Sequence, residues 1–335
     1  MRTPRFSLPL ALGLGLAMAC LLLLCLASLL LGSGDISVSR SLAALFSPAD
    51  EQARFVVYQL RWERTELALL VGIALGVAGL LLQSVTRNPL AEPGLMGVSA
   101  GASFAVVLAI AMGASAASLS LLVAIGGALA GCILMLLVTQ MRGVGDDPVR
   151  LVLAGAAFTG LLTALSSMLL LQDQRTADEM RFWIVGALAG RPPGTLAWSL
   201  PGLIAGLLLV LPLIPTLAAL SLGERVASGL GHHPRMTRLV TLLAVALLVG
   251  TATAAAGPIG FVGLVVPFIA RRLVGTDIRR TFGLSMLLGP CLVLFADILS
   301  RLAVRPYELP VGVITAFVGA PILIAVVRSH RLPTL

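Results

Sequence analysis

The sequence predicts an all-helical, polytopic membrane protein. Of its 335 residues, 58% are apolar and 11% are charged, against about 25% charged residues in an ordinary soluble domain. Apolar runs recur along the chain, each long enough to cross a hydrocarbon layer of roughly 30 Å as a helix. They are rich in Leu, Ala, Gly and Val and lack the period-two alternation of a transmembrane barrel. Helices are then the way to satisfy backbone groups away from water.

Taken in order, the first expected span is 8–31, after MRTPRFS. Its apolar stretch exceeds the 7–15 residues or so of a signal-peptide core, and no small-residue cleavage pattern follows it. Further spans are expected at 66–86, 95–112, 117–140, 150–171, 197–219, 237–256, 259–274, 283–304 and 310–328, the eighth being short and holding Pro267. An even number puts both termini on one side, and the basic ends MRTPR and VRSHR place that side in the cytoplasm. Fourteen of the arginines then lie inside and nine outside, in the sense the positive-inside rule requires. The segment LALLVGIALGVAG (67–79) resembles VALLVGTATAAAG (245–257) and runs the opposite way through the membrane. This implies an inverted duplication, with pseudo-repeats near 60–190 and 238–328 of one transmembrane domain, a pattern common in transporters.

Composition also excludes chemistry. All 23 basic residues are arginine, so the chain holds neither a phosphate-binding P-loop lysine nor a Schiff-base lysine. If ATP drives this protein, another chain binds it. Cys20, Cys25, Cys132 and Cys291 sit singly in apolar runs, and His232, His233 and His330 show no ligand spacing, so neither a metal site nor a catalytic residue is expected. The net charge of +8 comes from arginines in short loops rather than a basic stripe with aromatics, so nucleic acid is not an expected partner.

Four stretches stand out. RNPLAEPGLMGVSAG (87–101) follows the second span, and its turn residues lead into a segment of almost no side-chain bulk. It is either a packed hairpin or a constriction at the inner mouth of a pathway. GPIGFVGLVVPFIARR (257–272) interrupts an apolar run with three glycines and two prolines, as broken helices lining a cavity do. SLGERVASGLG (221–231) is expected to form a short cytoplasmic helix bounded by Gly223 and Gly231, with Glu224 suiting its N-terminal dipole, Arg225 exposed, and Ala227 and Leu230 free to enter a partner's groove. On the outer side, Arg61 and Arg64 share a helix face, and Asp297 and Arg301 are spaced for either an ion pair or recognition of a partner's carboxylates.

At these residues the chain resembles the FecCD-type permeases of ABC importers, which carry ferric siderophores, haem or vitamin B12. The matching text is QLRWER, RNPLAEPGLMGVSAGA, LVLAGAA, LGERVASGLG, GPIGFVGLVVPFIAR, ADILSRL and ELPVGVITAFVGAP, in family order over most of the chain. The resemblance implies a type II importer fold of about ten helices in the bacterial inner membrane. It implies a homo- or heterodimer of permeases, two cytoplasmic ATPase subunits that carry the ATP and magnesium, and a periplasmic or lipid-anchored substrate-binding protein. It makes Glu224 to Leu230 the helix that couples to the ATPase, Asn88 and Leu90 an inner gate, and Arg61, Arg64 and Arg301 the grips for the binding protein. Two positions depart from the family: Glu63 stands where Pro is frequent, and Phe268 where His is common. Thr163, with Thr159, Ser166 and Ser167 on the fifth span, is expected to line a weakly interacting pathway. The competing class is a stand-alone secondary transporter, which needs an intramembrane acid for its coupling ion; only Asp297 comes near that requirement.

Overall fold

The computed structural model describes residues 9–328 except 35, 48, 95–96, 115, 141–147, 173, 175–176, 178–179 and 181–182. Fourteen helical elements are used below. They are α1 (Leu10–Leu30), α2 (Val38–Phe46), α3 (Glu51–Phe55), α4 (Trp62–Thr86), α5 (Val98–Ala111), α6 (Ala116–Gln140), α7 (Pro148–Gln172), α8 (Thr195–Val210), α9 (Leu213–Ser221), α10 (Glu224–Gly229), α11 (Pro234–Ala256), α12 (Val262–Val274), α13 (Ile278–Leu302) and α14 (Val311–Arg328). A π-helical turn, Val56–Arg61, joins α3 to α4, making one helix from Glu51 to Thr86.

Every expected span falls on helix. The stretch 197–219 becomes two helices, α8 and α9, meeting at an angle of 51° where Pro212 follows Leu211, since proline cannot donate into the preceding turn. Among the described residues, α1, Glu51–Thr86, Leu153–Gln172, α11 and α13 are each long and apolar enough to cross a membrane, and the bent pair α8 and α9 makes a sixth candidate. In the expected spans at 95–112 and 259–274 the helix is shorter than the span. Helix α5 has 14 residues and α12 has 13, about 20 Å at 1.5 Å per residue, too short to cross alone. Both start inside the protein. Each is entered through a residue with positive φ, Gly97 for α5 and Phe261 for α12.

The long helix α4 lies at the centre, packed on α11, α12 and α13. Its glycines explain how. A Cβ at Gly72 would overlap the backbone of Gly289 and Pro290 on α13, and one at Gly79 would overlap the carbonyl of Gly263 on α12. With little hydrophobic drive between helices in lipid, such close backbone approach supplies the attraction. Leu70, Val71, Ala74, Val77, Leu80 and Leu81 fill the remaining space and are fully or almost fully buried. The periphery is different: Leu16, Leu22 and Leu23 of α1 and Leu161 and Met168 of α7 are exposed, as lipid-facing or partner-facing side chains are.

Short helices α2 and α3 were not foreseen from the sequence. Each begins at a capping side chain: Ser37 accepts from the Arg40 amide and Asp50 from the Ala53 amide. Arg40 then bridges to Asp50, with Nε 2.8 Å from Oδ2.

Candidate functional site

Three regions hold the residues singled out by the sequence, and in the first the arginines are buried rather than exposed. Arg61, Arg64 and Arg301 are buried, at 5%, 8% and 2% exposure; Arg64 and Arg301 donate within the chain through all three of their nitrogens, and Arg61 through Nη1. Arg61 Nη1 donates to the carbonyls of Leu29 and Leu30 and to Ser41 Oγ, each at 2.9 Å. It thus sits as a cation on the free carbonyls at the C-terminus of α1. Arg301 donates to the Ser28 carbonyl at 2.8 Å and to Asp297 through Nε at 2.9 Å. Arg64 donates to Asp297 Oδ1 at 2.6 Å and to Glu308 Oε2 at 2.5 Å. The i,i+4 pairing of Asp297 with Arg301 is therefore the local ion pair, and Asp297 holds two guanidiniums. The residues without a spacing signal are Ser28, 273 residues from Arg301, Ser33, 275 residues from Glu308, and the loop residue Glu308, 244 residues from Arg64.

These arginines still border an opening. Together with Glu63, Arg191 and Glu308 they line a cavity of about 680 Å³. Glu63, the departure from the family pattern, is exposed at its rim. Burial works against ionisation of Glu308, but Arg64 beside it and the Ser33 hydroxyl outweigh burial and hold its carboxyl below its ordinary value. The sign follows: a lowered native pKa contributes stability that is complete above the unfolded value, about 4.3, and is lost as pH falls through the lower native one. Wild-type protein is accordingly expected to gain no more stability than Glu308→Gln between pH 7 and 5. The difference between them should close only below about pH 4, as thermal unfolding in detergent across pH would measure.

The second region is α10. Gly223 (φ +119°) and Gly231 (φ +82°) bound it with backbone angles that disfavour other residues, as the sequence suggested. Glu224 pairs with Arg238 of α11, and Arg225 is exposed. Ala227 corrects the expectation. It is fully buried against the chain, and its carbonyl accepts from the His232 amide as the chain turns back. The outward apolar row is instead Leu222, Val226 and Leu230, at 69%, 46% and 62% exposure, spaced i, i+4, i+8.

The third region joins the two broken segments. Asn88 is buried, and its Oδ1 accepts from the Leu90 amide at 2.9 Å, closing the turn before Pro89 can continue a helix. Arg87, at φ +50°, donates to the Leu220 carbonyl at the end of α9. The loop that starts at Arg87 is thus tied to the chain four residues before α10. Farther along, the buried Glu92 accepts from the Phe261 amide, and Pro93 lies against Gly263. The sequence showed two Gly/Pro-broken stretches but could not show that they touch. Thr163 is exposed on α7, its hydroxyl donating back to the Thr159 carbonyl at 2.8 Å.

With this geometry in place the comparison with known proteins is decisive. The model of the FecCD transport family matches residues 20–329. The chain belongs to that family. Among curated FecCD-type relatives, the ferric enterobactin transport system permease protein FepD of Escherichia coli K12 is 45% identical over 303 residues, covering 90% of both chains. The iron(3+)-hydroxamate import system permease protein FhuB of Bacillus subtilis is 38% identical over 307 residues, covering 91% of this chain and 79% of that one. A solved structure described as an inward-facing conformation of a metal-chelate type ABC transporter superposes with a TM-score of 0.81 at 29% identity, covering 94% of this chain and 98% of that one. As a FecCD family member the chain is a multi-pass membrane permease of the ABC-importer class, all-helical, with its broken helices at the centre.

Proposed function

We propose that this chain is the permease subunit of an ATP-driven importer that moves a ferric siderophore across the bacterial inner membrane, with both termini in the cytoplasm. The observation that carries the reading is the exposed row Leu222, Val226 and Leu230 on a short helix, tied through Leu220 and Arg87 to the loop holding Asn88 and Leu90. A helix of this kind gives a partner something to push. Two ATPase subunits that bind ATP and magnesium supply the force, since an all-arginine chain holds no P-loop lysine.

In this mechanism a loaded periplasmic or lipid-anchored binding protein docks over the outer cavity bordered by Arg61, Arg64 and Glu63. Because Arg64 and Arg301 already hold Asp297 and Glu308, docking acts on them through the cavity rather than through free surface arginines. Substrate passes between this chain and a second permease subunit, the same or different. Closure of the ATPases displaces α10, and the Arg87 link carries that displacement to the gate loop. Thr163 and Ser167, polar and exposed on a largely apolar helix, suit a pathway that interacts weakly and lets cargo leave. The permease itself breaks no covalent bond.

The two groups α4 to α7 and α11 to α14 support the inverted-repeat reading. In each, a long helix is followed by a broken segment and a short helix entered at positive φ. The reading is tested by uptake into vesicles carrying the whole complex. Labelled ferric catecholate, ferric hydroxamate, haem and vitamin B12 are offered with and without ATP. ATP-dependent entry of a ferric chelate supports it. Entry driven by an ion gradient without any ATPase would favour a secondary transporter instead.

A further inference from the structure

Phe261 presents an unusual combination. It is the residue before α12, with φ +69° and ψ −22°. Side chains other than glycine rarely adopt that region, and a bulky aromatic there is a genuine outlier. Glycine is plentiful on both sides, in GPIGFVG, yet an aromatic stands at the strained position. Strain of this kind persists where the surroundings over-determine it. Two contacts do so here. The Phe261 amide donates to the buried carboxylate of Glu92, and its side chain lies on Gly319 of α14 so closely that a Cβ there would overlap Phe261 Cβ.

The first group of helices shows the complementary arrangement. The residue before α5 is Gly97, also at positive φ, and a Cβ on it would meet the ring of Phe158 on α7. Helices α7 and α14 carry matching text, Ala157-Phe158-Thr159-Gly160 and Ala316-Phe317-Val318-Gly319. Each group therefore seats one aromatic ring where its short helix begins against its last helix. In the first group the ring comes from the last helix, and in the second from the cap. Glu92 stands on the first broken segment and holds the cap of the second.

We propose that Glu92 is a positioning residue for transport: it fixes the left-handed backbone of Phe261, sets that ring against α14, and makes the two broken segments move together. The inference rests on the importer reading. A Glu92 that merely filled space would be replaceable by any residue of its size. A Glu92 that acts through the Phe261 amide needs an acceptor oxygen and nothing more.

The test uses the complete importer in vesicles, measuring maximal uptake rate, half-saturating concentration and substrate moved per ATP hydrolysed. Glu92→Gln keeps an acceptor and should transport within about threefold of wild type, whereas Glu92→Leu should lose about tenfold or more in maximal rate and in substrate per ATP, the ordinary range of a coupling between sites. The half-saturating concentration should stay the same, because neither group meets the binding protein. Phe261→Gly adopts positive φ without help, so adding Glu92→Leu to Phe261→Gly should cost little more than Phe261→Gly alone. If Glu92→Leu does not assemble, Glu92→Met, of the same length and without an acceptor oxygen, takes its place alone and with Phe261→Gly, with the same losses expected. Equal transport by Glu92→Leu and wild type, or multiplying losses in the double variant, would overturn the inference. If wild-type complex shows no ATP-driven uptake, the importer reading has failed rather than the role of Glu92.

Discussion

Replacing Asp297 by Ala is expected to destabilise the protein by about 3–5 kcal/mol, the usual cost of stranding a buried charge. Asp297 is fully buried and accepts from Arg64 and Arg301 together. Arg64 keeps Glu308 as a second acid, so the loss falls mainly on Arg301, for which Asp297 is the one acidic partner among the described residues. Arg301 is itself almost completely buried and also donates to the Ser28 carbonyl and hydroxyl. The cluster therefore fastens the end of α1 to α13 and α4, and the variant should loosen α1 first. Thermal unfolding of detergent-purified protein measures the size of the effect, and protease access to residues 31–37 locates it. A midpoint equal to wild type would mean that water reaches the cluster and screens it.

Gly79→Val is expected to prevent folding of most of the chain. A Cβ at 79 would overlap the Gly263 carbonyl, carbon and Cα, all backbone. Ordinary overpacking costs about 1–3 kcal/mol because side chains yield; here the helices themselves must separate. Separation would also break the bond from Gln83 Nε2 to the same Gly263 carbonyl, 3.2 Å, and strain the one from Arg271 Nη2 to Gln83 Oε1, 2.7 Å. Gly160→Ala, at a glycine with no neighbour within 4 Å, serves as the control and should change stability by no more than about 0.5 kcal/mol. The yield of monodisperse protein on size exclusion separates the two. Normal yield for Gly79→Val would show that the α4–α12 contact is less close than described.

Helix positions were largely legible because apolar length and proline leave strong marks on a membrane sequence. Gly223 and Gly231 bounded α10 for a local reason, since both turns need positive φ. What stayed hidden was contact between distant segments. Nothing in the spacing of QLRWER says that Arg64 meets Glu308, and a conspicuous arginine is as suitable for a buried pair as for an exposed grip. The shortness of α5 and α12 was obscured because their broken entries are themselves apolar and small, so hydropathy runs through them. The burial of Ala227 is hidden because a six-residue helix has too few turns for periodicity to reveal its buried face; Leu230 is exposed as its sequence position suggests, and Leu222 and Val226 join it.

Under the proposed function, force enters this permease through α10. The most direct test is co-purification of an ATPase subunit with the tagged protein from membranes, comparing wild type with the Val226→Asp, Leu230→Asp double variant, whose substitutions lie on exposed side chains and should leave the fold intact. Wild type should retain the ATPase, and the variant should lose it while staying monodisperse. Equal retention by both proteins, or wild-type protein that transports with no ATPase bound, would contradict it.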